Sequence, residues 1–142
     1  MYKRKLVLFI VSFVMSMPAM ASYSAHELAL DCGQYILMRT DGLPSMSFDD
    51  GLRIGRCAGF MKTFFDSHAA ITQIQSSENK TKTVPLFSLP GEENYNKNLE
   101  VIYDHLLWLR ERDKESLKMP ASKVVLKFLM EKYPNPNQSS GG

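Results

Sequence analysis

Most of what would announce a chemistry is missing from this 142-residue chain. It holds two cysteines, Cys32 and Cys57, and no C-x-x-C pair, which excludes a dithiol redox motif. Its three histidines, His26, His68 and His105, stand apart, none four residues from another histidine or a cysteine. Local metal-ligand spacings are therefore absent. There is no G-x-S-x-G and no glycine-rich loop to cradle phosphate. The paired acids Asp49-Asp50 and Glu92-Glu93 each sit where a helix start explains them, whereas a glycosidase needs two carboxylates across a cleft. His68 reads as a dipole partner near a helix end, and His105, beside Asp104, as a surface or interface position. The expectation is a protein that is not an enzyme and that uses no metal or cofactor.

Only one long apolar run is present, and it lies at the N-terminus. Lys3, Arg4 and Lys5 precede Leu6–Met17, Pro18 breaks the run, and Ala19-Met20-Ala21 supplies small residues for cleavage. That is the pattern of a secretory signal peptide over residues 1–21, cut between Ala21 and Ser22. The run of about 12–15 residues is short of the roughly 20 that span a bilayer. Without Lys3, Arg4 and Lys5 the 17 basic residues fall to 14 against 15 acidic ones. The exported chain thus carries no basic excess, and nothing favours nucleic acid or, after cleavage, a membrane.

Export permits a disulfide, and two cysteines allow one intramolecular pairing, Cys32–Cys57. A free thiol pair or an intermolecular bond are the alternatives. If the pairing forms, no thiol nucleophile remains. Closing a loop of about 25 residues should contribute roughly 3 kcal/mol in the chain-entropy model.

What is present is helical periodicity. Ser24-Ala25-His26-Glu27 reads as a capping box before Leu28, Cys32, Tyr35 and Ile36, so helix 1 is expected over about 25–39, stopped by Asp41-Gly42 and Pro44. Ser47 caps helix 2, which carries Cys57, Met61, Phe64 and Phe65 and reaches about 71–75. Gly51, Gly55 and Gly59, four apart, suggest a close helical neighbour that needs the missing Cβ. Gln75–Gly91 reads as a long loop whose second half packs back on the core. Asn79-Lys80-Thr81 matches a glycosylation acceptor, read here as a chance match. Asn94 caps helix 3, with Leu99, Ile102, Leu106 and Leu109 as its stripe. Pro120 opens helix 4, with Val124, Val125, Phe128 and Leu129 inward, and Tyr133-Pro134 closes it. The expected fold is all-α: a small bundle of about four helices over residues 22–134, stapled by one disulfide, with a disordered tail at 135–142.

Several segments resemble the Rap/Tai family of type VI secretion immunity proteins. They are Cys32, the run Arg56-Cys57-Ala58-Gly59-Phe60-Met61, the element Phe87-Ser88-Leu89-Pro90-Gly91, the leucine-rich stretch Leu99–Leu107, and Leu117–Pro134 with its aromatic-Pro end. Ser88 and Asn135 stand where that family often has a second cysteine pair, so one whole bridge is missing. The link at 112–116 is also longer than usual. The resemblance implies a periplasmic, helical, often homodimeric protein. Its partner would be a secreted effector toxin, typically a peptidoglycan hydrolase of the amidase type, whose cleft it blocks sterically. A second resemblance is to periplasmic acid-stress chaperones of the HdeA group, also small, exported, helical and singly disulfide-bonded.

Long loops and interface-enriched residue types suggest where a toxin would be held. The candidates are Ser76, Glu78, Lys80 and Lys82 in the loop, and Asp104, His105, Trp108 and Arg112 on helix 3.

Overall fold

The computed structural model describes residues 22–42, 45–79, 85–89, 91 and 94–135. The side chains of 75–79 fall outside that description, as do the signal segment 1–21, the cleavage position at Ala21, Lys80, Lys82 and the tail from 136. Among the described residues four α-helices follow one another: α1 (Ala25–Asp41), α2 (Phe48–Asn79), α3 (Tyr95–Arg112) and α4 (Ala121–Lys132). A single 3-10 turn, Ser116–Lys118, links the last two. No strand occurs among the described residues. No helix among them is long and apolar enough to cross a membrane.

The helix starts follow from local chemistry. Ser24 accepts from the Glu27 amide at 3.2 Å, and the Ser24 amide donates to the Glu27 carboxylate at 2.8 Å. Two otherwise orphaned N–H groups are thus satisfied reciprocally. Ser47 and Asp50 repeat the arrangement at α2, with bonds of 3.1 and 3.0 Å. Asn94 accepts from the Lys97 amide at 3.1 Å to start α3. Pro120 takes the N-cap position of α4, where a missing N–H costs nothing.

α1 is the hub, in contact with α2, α3, α4 and the 3-10 turn. Its inward residues Ala25, Leu28, Ala29 and Cys32 meet Cys57 and Met61 of α2, Leu99, Ile102 and Leu106 of α3, and Val125 and Leu129 of α4. Cys32 and Cys57 form the disulfide, their Cα atoms 5.0 Å apart. One residue earlier on each helix, buried Asp31 accepts from Arg56 at 2.9 Å and from the Tyr23 hydroxyl at 2.7 Å. Burial, and then this bond to Asp31, push the Tyr23 phenol above its usual range.

Two backbone ties close the ends. Ala25 donates to Met119 and Ala121 to Tyr23, joining the starts of α1 and α4. At the other end, the Ser88 amide donates to the Tyr133 carbonyl at 2.8 Å, and Phe87 is buried. This segment packs back on the core, as its Val-Pro-Leu-Phe pattern suggests.

Three expectations need correction. α2 continues to Asn79, so Ser76 and Glu78 lie in a helix rather than a loop. Nothing in Ser76-Ser77-Glu78-Asn79 forces a stop, since none is proline or glycine. In consequence His68 stands well inside α2, not near its end. Nor do the three spaced glycines mark a close neighbour among the described residues: a Cβ at Gly51, Gly55 or Gly59 would meet none of them within 4 Å. The close approach is at Gly33, where a Cβ would come 2.9 Å from the Tyr103 hydroxyl, bringing α1 against α3.

Two stability tests follow. Replacing both cysteines by serine should cost about 3 kcal/mol, seen as a lower urea midpoint. An unchanged midpoint would mean that the staple holds nothing the core does not. Gly55→Ala should stabilise by up to about 1 kcal/mol. Gly91→Ala should destabilise, because its Cβ would fall 2.8 Å from the Lys97 Cβ and 3.1 Å from the Asn94 carbonyl. The opposite ordering of these two variants would contradict the packing described.

Candidate functional site

α3 and α4 both pack on α1, and side chains from the two leave an open cleft of about 600 Å³ between them. From α3 come Val101, Asp104, His105 and Trp108; from α4 and its end come Phe128, Glu131, Lys132 and Tyr133. The α3 set follows from helical geometry. Residues 101, 104, 105 and 108 are three or four apart and share one face, next to the buried stripe of Leu99, Ile102, Leu106 and Leu109.

The floor is a ladder of rings. His105 stacks on Phe128 at 4.0 Å, nearly parallel, and Trp108 stacks beyond His105 at 5.8 Å. Tyr133 meets the Phe128 ring edge-on at 5.9 Å. Trp108 nevertheless keeps 54% of its surface exposed. Burial lowers the His105 pKa, opposed by the Glu131 carboxylate, so the imidazole is neutral at pH 7. A neutral ring flanked by two aromatic rings, with the Tyr133 phenol as the one hydroxyl and no thiol among the described lining residues, gives a contact surface.

Polar groups sit on the rim. Asp104, one helical turn before Trp108, lines the cleft and makes no hydrogen bond or ion pair with any described residue. Glu131 lies 3.9 Å from Lys127. Among the described residues no group of three or more His, Cys, Asp or Glu could hold a metal ion.

Of the sequence candidates, the cleft brings together Asp104, His105 and Trp108. Arg112 is exposed on the same helix but does not line it. The backbones of Ser76 and Glu78 belong to α2, and no α2 residue lines the cleft. The contribution of α4 was not anticipated. Phe128 was assigned to the core, and Glu131, Lys132 and Tyr133 were not singled out. Glu131 and Lys132, three and four residues past Phe128, share its helix face, and Tyr133 follows at the helix end; pairing with His105 is a tertiary event that carries no local signal.

A second, apolar groove of about 490 Å³ lies between α2 and α4, lined by Gly59, Phe60, Phe64, Ile71, Leu86 and Leu126 among others. His68 belongs to its wall, stacked on Phe87 at 4.1 Å. Its Nε2 is buried without a hydrogen-bond partner among the described residues, and burial lowers its pKa.

Comparison with known proteins adds no relative. No family model matches the chain, and neither a curated protein nor a solved structure matches it significantly.

The two stacked histidines generate a pH prediction. Both have folded pKa values below the 6.5 of a free imidazole. The unfolded chain therefore binds more protons just below pH 6.5, and stability rises with pH in that window. Their contribution is complete above about pH 6.5 and is lost as the pH falls toward the folded values. The urea midpoint should drop between pH 7.5 and 5, and less so in His68→Phe, which keeps a ring against Phe87. A flat midpoint in the parent protein across that range would remove the histidines from the stability account.

Proposed function

We propose that this chain is a periplasmic immunity protein. It binds a cognate type VI secretion toxin, a peptidoglycan hydrolase of the amidase type, and blocks it sterically. The observation that carries the reading is the cleft between α3 and α4, where a half-exposed tryptophan is held on a rigid ring ladder. Tryptophan is among the residue types enriched at interface hot spots. The disulfide fits an oxidising compartment, and the signal-like N-terminus fits export. A steric inhibitor needs no catalytic group of its own, so the protein need not be an enzyme. Homodimerisation, expected from the resemblance, would leave the cleft free only if it used another face.

A second reading is favoured by the stacked His105 and by the buried Nε2 of His68, which has no partner among the described residues. Protonation would place charge against Phe87 and Phe128 and loosen both packed corners. That would suit an acid-stress chaperone of the HdeA kind, which opens at low pH and exposes apolar surface.

Affinity capture separates the two. The tagged protein, exported and processed in the periplasm, is mixed with secreted effectors at pH 7 and again near pH 3. The immunity reading expects one stoichiometric partner at pH 7, with cell-wall hydrolase activity that the complex suppresses. Trp108→Ala should weaken that complex by about 2 kcal/mol, roughly thirtyfold in Kd. No partner at pH 7, with many clients on acidification, would overturn immunity and leave the chaperone.

A further inference from the structure

Chemical asymmetry distinguishes the cleft between α3 and α4 from the other concavities. Among the described residues, the wall of the groove on α2 has none that is charged. In the shallow pocket beside α2 that holds Lys62 and Asp66, those two groups pair with each other at 2.6 Å. Around the 3-10 turn, Asp113 is engaged by Ser116. Asp104 differs from these acids. Its carboxylate is exposed, lines the cleft and has no partner among the described residues. Glu131 adds a second carboxylate at the rim, with only a 3.9 Å contact to Lys127. Among the described residues Lys132 is the one cation in this wall, which is net negative when His105 is neutral, while Lys123 and Lys127 line the adjoining pocket on the other side of Trp108 and Glu131.

The aromatic floor fits the same kind of guest. Trp108 is one turn beyond Asp104 on one helix face, and part of its ring system is already covered by His105. The exposed remainder offers a π surface within reach of an unpaired acid. A planar cation can use both at once, stacking on the indole while donating to a carboxylate. An apolar guest would leave Asp104 desolvated without a partner, and an acidic guest would face repulsion from Asp104 and Glu131.

We propose that this cleft receives a basic side chain of the partner, arginine in preference to lysine, with the guanidinium on Trp108 and paired to Asp104. The proposal deepens the reading of the cleft as the partner-binding surface and rests on it. Arginine is favoured because its flat, weakly hydrated fork can stack and donate together, whereas an ammonium is a compact, strongly hydrated point charge.

The test uses Trp108 itself, since it is the single tryptophan in the chain and gives one indole N–H signal. The 15N-labelled protein is titrated with N-acetyl-Gly-Arg-Gly-amide, with the lysine tripeptide, and with the tripeptide in which neutral citrulline replaces arginine. The arginine peptide should shift the indole signal saturably. Lysine should bind more weakly, and citrulline about tenfold more weakly or worse. Asp104→Asn should lose about tenfold in arginine affinity. Glu111→Gln, on the same helix but outside the cleft, should lose none. Equal binding of citrulline and arginine, or an unaffected Asp104→Asn with an unchanged circular dichroism spectrum, overturns the proposal. The two readings fail separately. A captured toxin indifferent to Asp104→Asn sinks cation recognition and leaves immunity standing. Saturable arginine binding without any captured toxin does the reverse.

Discussion

Everything else in the bundle depends on a two-residue register between α1 and α2. Asp31 meets Arg56 and, one position on, Cys32 is bonded to Cys57. The disulfide restricts the unfolded chain, but a single covalent link leaves the helices free to rotate about it. The neighbouring ion pair removes much of that freedom. Asp31 is buried and could not tolerate a rotated register, because its charge would lose both Arg56 and the Tyr23 hydroxyl. Arg56 is itself exposed, so the pair acts more through the cost of leaving Asp31 alone than through strong attraction.

With α1 fixed against α2, its remaining surface receives α3 and α4. Gly33 lets Tyr103 approach, and Arg39 reaches Glu100 at 3.0 Å on the outer side. The tie between Tyr23 and Ala121 then sets where α4 begins, and Phe87 sets where it ends. The cleft is the space left between two helices that are each positioned mainly by the core and these ties. Its shape follows from constraints on its far side, which explains how a tryptophan can be half exposed and still held.

Helix starts were legible because they are written in adjacent residues: Ser24 with Glu27, Ser47 with Asp50, Asn94 before Lys97. So was the disulfide pairing, since two cysteines allow one intramolecular bond. The end of α2 was not, because polar residues such as Ser76 and Asn79 are compatible with both helix and loop, and only context decides. The glycines misled for a related reason. A missing Cβ permits close approach without requiring it, and a Cβ at 51, 55 or 59 would touch no described residue, while solitary Gly33 brings α1 against α3. For the site, Asp104, His105 and Trp108 could be grouped because one helix presents them together. Phe128, Glu131 and Tyr133 could not be added, because their meeting with α3 depends on how α4 docks.

Exposed apolar surface alone would have pointed elsewhere. Phe48 is 80% exposed, and Leu52, Ile71 and Ile74 on α2 are also open to solvent. Scattered exposed hydrophobes are ordinary on folded proteins, and they carry no orientation. Trp108 differs in having its neighbours fixed: His105 behind it, Phe128 behind His105, and Tyr133 closing the row. A side chain already held in place loses less rotamer freedom on binding, so more of its contact energy appears as affinity. Unpaired Asp104 then supplies what an apolar patch lacks, a preference for one sign of charge and one direction of approach. Fixed ring packing and polarity together, rather than exposed area, are what single out the face between α3 and α4 as the proposed partner surface.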